Sequence, residues 1–382
     1  MRKNSLLIHG GVDGDARTGA VNVPIYQTAT YKQPEFGRHS GYEYSRTGNP
    51  TREALEALIA DLEEGTHGLA FASGMAATTA VLSLFETGDR IVISSNVYGG
   101  TFRVLDQIFN RFGLTYTIAD TTDRQALSDA ITPDVKAVLV ETPANPLLTV
   151  TDLRAVAEVT RAKGVLLIVD NTFMTPYLQR PLTLGADIVL HSATKYLAGH
   201  SDVVAGLAVV KDEALAKRLY FIQNATGGVL APFDSFLVIR GIKTLGVRLD
   251  RHNENALFVA NQLKSAGGIA NVYYPGLPDD PGYAIQRAQA DGAGGVISFE
   301  LAQGYSVPAF YNALSLVTLA ESLGGVESLA CHPSTMTHAS IPAEIREKVG
   351  ITERLVRISV GIEDAQDILD DLLSAVAQSK EG

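Results

Sequence analysis

The sequence predicts an α/β fold: a large, parallel-rich sheet layered with helices, then a smaller α+β C-terminal domain. Two observations carry this. From Asn49 to about Gly246, short apolar runs alternate with stretches of helical pattern, the order of a parallel sheet buried on both faces. Beyond that point, strands of similar length follow one long helical stretch and lose the strict alternation. The first 45 or so residues have no clear period and are rich in Gly, Pro and Tyr, which reads as an extended arm. The division is therefore an arm over 1–47, a large domain over 48–246 and a C-terminal domain over 247–382.

Taken in order, Asn49-Pro50-Thr51 opens a helix through Ala54, Leu55, Leu58 and Ile59. Strands are predicted at 68–72, 90–94, 137–141, 166–170 and 188–191, and helices at 75–85, 101–112 and 153–163. Residues 233–263 read as one helical stretch. Strands follow at 272–275, 296–301 and 356–360, and an amphipathic helix at 364–377.

Lys and Arg total 31 against 42 for Asp and Glu, a formal charge of −11. That field opposes a polyanion, so no nucleic-acid partner is expected. Cys331 is the single cysteine, which leaves no intrachain disulfide and no cysteine-based zinc site; no metal is expected. Leu6-Leu7-Ile8 is too short for a signal peptide, and the apolar stretch 203–210 is too short for a membrane span. These features suit a cytoplasmic protein with no membrane partner.

Four motifs carry chemistry. His191-Ser192-Ala193-Thr194-Lys195-Tyr196 follows a predicted strand, and ligands of α/β sheets bind outside the carboxyl ends of strands. A lysine there can form a Schiff base with an aldehyde cofactor, and the hydroxyls of Ser192 and Thr194 can grip a phosphate. Taken alone, the motif fits a surface lysine as well. Leu166-Leu167-Ile168-Val169-Asp170 ends an apolar strand on an acid. Its carboxylate can hold a pyridinium N–H, though an isolated Asp at a strand end is more commonly solvated or a helix cap. Phe71-Ala72-Ser73-Gly74-Met75 turns a strand into an Ala-rich helix whose N-terminus suits a phosphate. Many α/β proteins share such a turn. Tyr98, in Asn96-Val97-Tyr98-Gly99-Gly100-Thr101, can stack on a planar cofactor and move a proton, or be an ordinary turn tyrosine.

Together with Tyr44-Ser45-Arg46-Thr47-Gly48-Asn49-Pro50-Thr51, Glu141-Thr142-Pro143-Ala144-Asn145-Pro146, Glu321-Ser322-Leu323-Gly324-Gly325, Met336-Thr337-His338-Ala339-Ser340 and Arg357-Ile358-Ser359-Val360-Gly361, these motifs resemble the Cys/Met-metabolism family of enzymes dependent on pyridoxal 5′-phosphate (PLP). The resemblance runs over nearly the whole chain. It implies the aspartate-aminotransferase type of fold, PLP-dependent transferase fold type I, and a homotetramer built as a dimer of dimers with active sites shared between subunits. It implies that Tyr44 and Arg46 reach the neighbour's PLP phosphate. Gly74, Met75, Ser192 and Thr194 form the phosphate cradle within the subunit, Asp170 meets the pyridinium, and Tyr98 stacks on the ring. Lys195 carries the cofactor and shuttles protons, with Tyr98 as the acid at the leaving sulfur. Asn145 and Arg357 bind the substrate carboxylate, and Ser322 stands beside Lys195.

Within the family, Gly100 stands where methionine γ-lyases typically have cysteine. Glu43 and Glu321 match acidic positions of cystathionine γ-lyases and γ-synthases, where a carboxylate can hold the distal ammonium of cystathionine; the alternative for either is a solvated surface charge. The expectation is α,γ-elimination of cystathionine, a small-molecule sulfur amino acid. γ-Replacement on an activated homoserine ester, β-elimination, and a PLP-fold binding protein without turnover are the alternatives.

Overall fold

In a computed structural model, which describes residues 1–11, 14–337, 344, 346 and 350–381, the alternating half of the chain forms a seven-stranded sheet. Its strands are β1 (His67–Phe71), β2 (Arg90–Ser94), β3 (Thr115–Ala119), β4 (Val135–Glu141), β5 (Leu166–Asp170), β6 (Ile188–Ser192) and β7 (Gly206–Val210). Their order is β1-β7-β6-β5-β4-β2-β3. Strands β2 to β6 pair in parallel. Side chains alternate across the sheet. Leu139, Ile168, Ile188 and Leu190 pack on one face, and Val138, Val140, Leu167, Val169 and Val189 on the other. Both faces are apolar and covered, which is why these strands read as continuous hydrophobic runs.

Two strands of this sheet were not legible, nor were the short C-terminal strands Thr318–Leu319 and Leu329–Cys331. β3 is an edge strand of mixed polarity, Thr-Tyr-Thr-Ile-Ala, and is only half-buried. β7 runs antiparallel to both β6 and β1, a departure from the parallel expectation. Residues 193–205 contain no helix, so no crossover element carries the chain back across the sheet, and it turns and returns beside β6.

The arm also differs from expectation at its start, where Lys3–His9 is helical. Seven residues rarely hold a helix in water; here packing holds it. Leu7 is buried in the same apolar cluster as Leu55 and Leu58. Lys3 Nζ donates to the Tyr177 carbonyl at 2.5 Å and to Asp291 Oδ2 at 2.9 Å. The helix Pro50–Leu62 then begins as predicted, with Asn49 as its cap.

The stretch read as one helix over 233–263 is two, Pro232–Ile242 and Leu245–Leu263. Arg248 reaches back across the break. Its guanidinium donates to the carbonyls of Gly241 at 2.7 Å and Tyr196 at 2.8 Å, so the helix end is satisfied by a side chain as well as by the Thr244 N–H, which donates to the same Gly241 oxygen at 3.1 Å.

The C-terminal part carries a five-stranded sheet of β8 (Ile269–Tyr273), β9 (Val296–Leu301), β10 (Thr318–Leu319), β11 (Leu329–Cys331) and β12 (Leu355–Ser359), in the order β10-β11-β12-β9-β8. All its pairings are antiparallel except β10 with β11. The closing helix Ala365–Gln378 packs Ile368, Leu372 and Ala375 into the core shared with Leu249, Val259 and Leu263. Of the motif beginning Met336-Thr337, positions 338–340 lie outside the described residues.

Candidate active site

Strands β4, β5 and β6 end at Glu141, Asp170 and Ser192, and all three residues line one cavity of about 500 Å³. This is where parallel strands of an α/β sheet present their ligand sites. The helix Gly74–Leu82 starts at the same place, capped by Ser73 Oγ, which accepts from the Ala76 N–H at 3.0 Å. A Cβ on Gly74 would lie 2.9 Å from Ser192 Cβ, and one on Gly206 would lie 2.1 Å from the Ser73 carbonyl oxygen. These glycines let the helix N-terminus sit against the ends of β6 and β7, with its backbone dipole facing the cavity.

Lys195 lies beyond β6. Its Nζ donates to Ser322 Oγ at 2.7 Å. Burial, and then the positive charge of Arg357, push its pKa down from 10.5 to about 8. Ser322 has φ of 88°, the left-handed region that non-glycine residues seldom occupy. In that conformation it accepts twice, through its hydroxyl from Lys195 and through its carbonyl from Arg357 Nη2 at 2.8 Å. Arg357 Nη1 donates to Asn145 Oδ1 at 2.9 Å. A guanidinium so held is an anchor for a carboxylate.

Asp170 Oδ1 accepts from the Thr172 N–H at 3.0 Å and from Thr172 Oγ1 at 2.5 Å. Burial nonetheless raises the Asp170 pKa. Glu141, opposite it on β4, is pushed up to about 8 by burial and then by the Asp170 charge. A buried acid whose ionised form is disfavoured is stabilised by a cationic N–H donor in the cavity. Tyr98 is 43% exposed and lines the same cavity. A flat heteroaromatic ring with a basic nitrogen and a phosphate fits this donor set: an acid, a tyrosine face, hydroxyls, a glycine-cleared helix N-terminus and a lysine amine.

Gly74, Met75, Tyr98, Asn145, Asp170, Ser192, Thr194, Lys195, Glu321, Ser322 and Arg357 all line the cavity. The Thr194 hydroxyl is also engaged with the backbone of Ala205, at 3.1 Å to its nitrogen and 3.2 Å to its oxygen. Glu43, Tyr44 and Arg46 stand apart from it. The Glu43 side chain is 54% exposed. Arg46 lies 5.3 Å over the Tyr44 ring and donates to Asn224 Oδ1 at 3.2 Å.

Sequence reasoning missed Thr172, which orients Asp170, and Arg103, an exposed guanidinium at the cavity. It also gave Glu141 no role, although an acid ending an apolar strand was the very signal used for Asp170. A further buried pair lies behind the strand ends: His191 Nε2 meets Glu63 Oε1 at 2.7 Å, and Asn171 Nδ2 donates to the same oxygen at 2.9 Å.

Comparison with known proteins agrees with this geometry. Residues 4–377 match the family model described as Cys/Met metabolism PLP-dependent enzyme. The chain is 56% identical over 376 residues to a cystathionine gamma-lyase of Bacillus subtilis, covering 98% of this chain and 99% of that protein. It is 53% identical over 370 residues to a cystathionine beta-lyase of Lactococcus lactis, covering 97% of each. The crystal structure of cystathionine gamma-lyase from Lactobacillus plantarum complexed with L-serine superposes with a TM-score of 0.97 at 50% identity, covering 99% of both chains. The relatives' names divide among γ-lyase, β-lyase and γ-synthase. Fold, site chemistry and relatives agree: this chain belongs to the PLP-dependent enzymes of cysteine and methionine metabolism.

Proposed function

We propose that this carbon–sulfur lyase cleaves the γ carbon–sulfur bond of L-cystathionine, which with one water gives cysteine, 2-oxobutanoate and ammonia. The observation that carries the reading is a second set of charges in the cavity. Arg357 and Asn145 suit the carboxylate of the reacting end. Glu321 and Arg103 line the same cavity and offer a carboxylate to a second ammonium and a guanidinium to a second carboxylate. A substrate with an amino-acid group at each end uses both sets; methionine or homocysteine leaves the second unused. Similarity to the γ-lyase of Bacillus subtilis supports the γ position over the β position.

PLP, when bound, supplies an aldehyde that condenses with amines and a protonated ring that accepts an electron pair. The residues named here do the rest. Asp170 would hold the ring N–H, and the Tyr98 ring would lie against the cofactor ring. Gly74, Met75, Ser192 and Thr194 would take the phosphate. The Lys195 amine, neutral in part near pH 8 and steadied by Ser322 Oγ, removes the proton at Cα. Expulsion of a γ-sulfur requires a second proton to leave Cβ, so one base must reach both carbons. Lys195 is that base, and the Tyr98 hydroxyl returns a proton to the sulfur. Glu43, Tyr44 and Arg46, which do not line the cavity of their own chain, serve the site of a neighbouring copy in a dimer of dimers. Tyr44 and Arg46 reach its phosphate, and Glu43 reaches the distal substrate end.

A product assay on cystathionine tests the assignment. 2-Oxobutanoate with cysteine supports it, and pyruvate with homocysteine assigns β-elimination instead. Inert cystathionine, together with synthesis of cystathionine from an activated homoserine ester and cysteine, assigns γ-replacement.

A further inference from the structure

Glu141 is the last residue of β4 and is 5% exposed. Its two carboxyl oxygens serve two different loops. Oε2 accepts from the Tyr98 N–H at 2.9 Å, and Oε1 accepts from the Asn145 N–H at 3.2 Å. Asn145 in turn accepts from Arg357 at 2.9 Å. One acid thus ties the loop that carries the Tyr98 ring to the loop that meets the substrate carboxylate, and anchors both at the end of a central strand.

The location is costly. Asp170 faces Glu141 across the β4–β5 pair, and burial with that like charge pushes Glu141 up to about 8, while the Asn145 and Tyr98 N–H groups and the Arg357 charge act the other way and favour the ionised carboxylate; the clamp is complete in that ionised form. Only a carboxylate offers two acceptor oxygens with no donor. Glutamine in its place would turn an amide N–H₂ against one of the two backbone N–H groups, leaving one loop without its anchor.

We propose that Glu141 is a positioning residue that clamps the Tyr98 and Asn145 loops to the end of β4 and so sets the spacing between the cofactor ring and the substrate carboxylate. The role rests on the proposed places of Tyr98 and Asn145, not on which carbon–sulfur bond is cut.

The test uses Glu141→Gln, with PLP titrated into the apoprotein and L-alanine titrated into the holoenzyme by absorbance. L-Alanine has the amine and carboxylate but no sulfur to expel. Both dissociation constants are expected to rise, at least one by about tenfold, the scale of one lost hydrogen bond to a charged group. The rise in the L-alanine constant should shrink to about twofold or less in an Asn145→Ala background, and the rise in the PLP constant likewise in a Tyr98→Ala background, because coupled residues are not additive. Unchanged constants with only a lower Tm would overturn the proposal, as would effects that add in full to both backgrounds. If Glu141→Gln does not fold, Glu141→Asp, which keeps both oxygens on a shorter stem, must still weaken both ligands; affinities equal to wild type would overturn the clamp. If Tyr98→Ala and Asn145→Ala by themselves leave both constants unchanged, the site reading itself fails, and that outcome is distinct.

Discussion

Lys195 joins three influences: burial, the nearby Arg357 charge and the Ser322 hydroxyl at 2.7 Å. Its lowered pKa has a sign that can be checked. Above about pH 8 the folded amine is neutral, while an unfolded lysine stays protonated to about 10.5. PLP uptake by the apoprotein, read as formation of the visible absorbance band, should therefore rise with pH around a midpoint near 8; a midpoint near 10.5 would contradict the burial argument. By linkage, stability of the apoprotein gains from this group as pH rises from 8 towards 10.5, because there the unfolded chain holds a proton that the folded chain has released. Lys195→Ala should bind PLP without a covalent bond and lose nearly all turnover. Borohydride should fix the cofactor to the peptide containing Lys195 in the wild type, and labelling at another lysine would refute the assignment. Glu321 belongs to the specificity side. Glu321→Leu should lower kcat/KM for cystathionine by about ten- to a hundredfold, with a smaller loss for homocysteine. Equal losses on both substrates would make Glu321 a structural acid.

At the level of elements, the helix Pro50–Leu62 shows how a cap does more than start a helix. Asn49 is fully buried. Its Oδ1 accepts from the N–H groups of Thr51 and Arg52 at 3.0 and 3.4 Å, and its Nδ2 donates to the Tyr26 carbonyl at 2.9 Å. Asn49→Ala should cost about 1–3 kcal/mol, read from chemical unfolding, since it removes the cap and leaves buried groups unpaired. The helix Leu245–Leu263 carries His252, whose Nδ1 donates to the Val360 carbonyl at 2.7 Å. Burial holds its pKa down to about 4 from 6.5. The neutral ring thus contributes stability above pH 6.5 that is lost as pH falls through 4, because the unfolded chain takes the proton first. His252→Asn keeps the donor and removes the titration, so stability should decline less between pH 6.5 and 4 than in the wild type.

For the whole molecule, the arm is the informative part. Tyr44 is 45% exposed, and Arg52 holds the carbonyls of Ser45 and Arg46 at 2.7 and 3.2 Å, so the backbone here is tied down while the Tyr44 and Arg46 side chains stay exposed. If they serve a neighbour's phosphate, Arg46→Ala should weaken PLP retention more than it lowers the Tm of the apoprotein. Sedimentation should show at least a dimer under assay conditions; a fully active monomer would remove the shared-site reading.

Legibility followed locality. Strands β2, β5 and β9 and the helix Leu153–Lys163 agree with the sequence reading at both ends, because alternation, caps and apolar runs are properties of neighbouring residues. Lys195 and Asp170 were visible for the same reason: each stands at or just after the end of a strand that the pattern itself defines. Asn145 and Arg357 were not legible in that way. They lie 212 residues apart yet meet at 2.9 Å, and only the resemblance to a family pointed to them. The reversal of β7, the left-handed turn at Ser322 and the two-loop grip of Glu141 were decided by the tertiary structure alone. Each depends on which distant segments pack together and on which buried polar groups then need partners, and no periodicity along the chain records that.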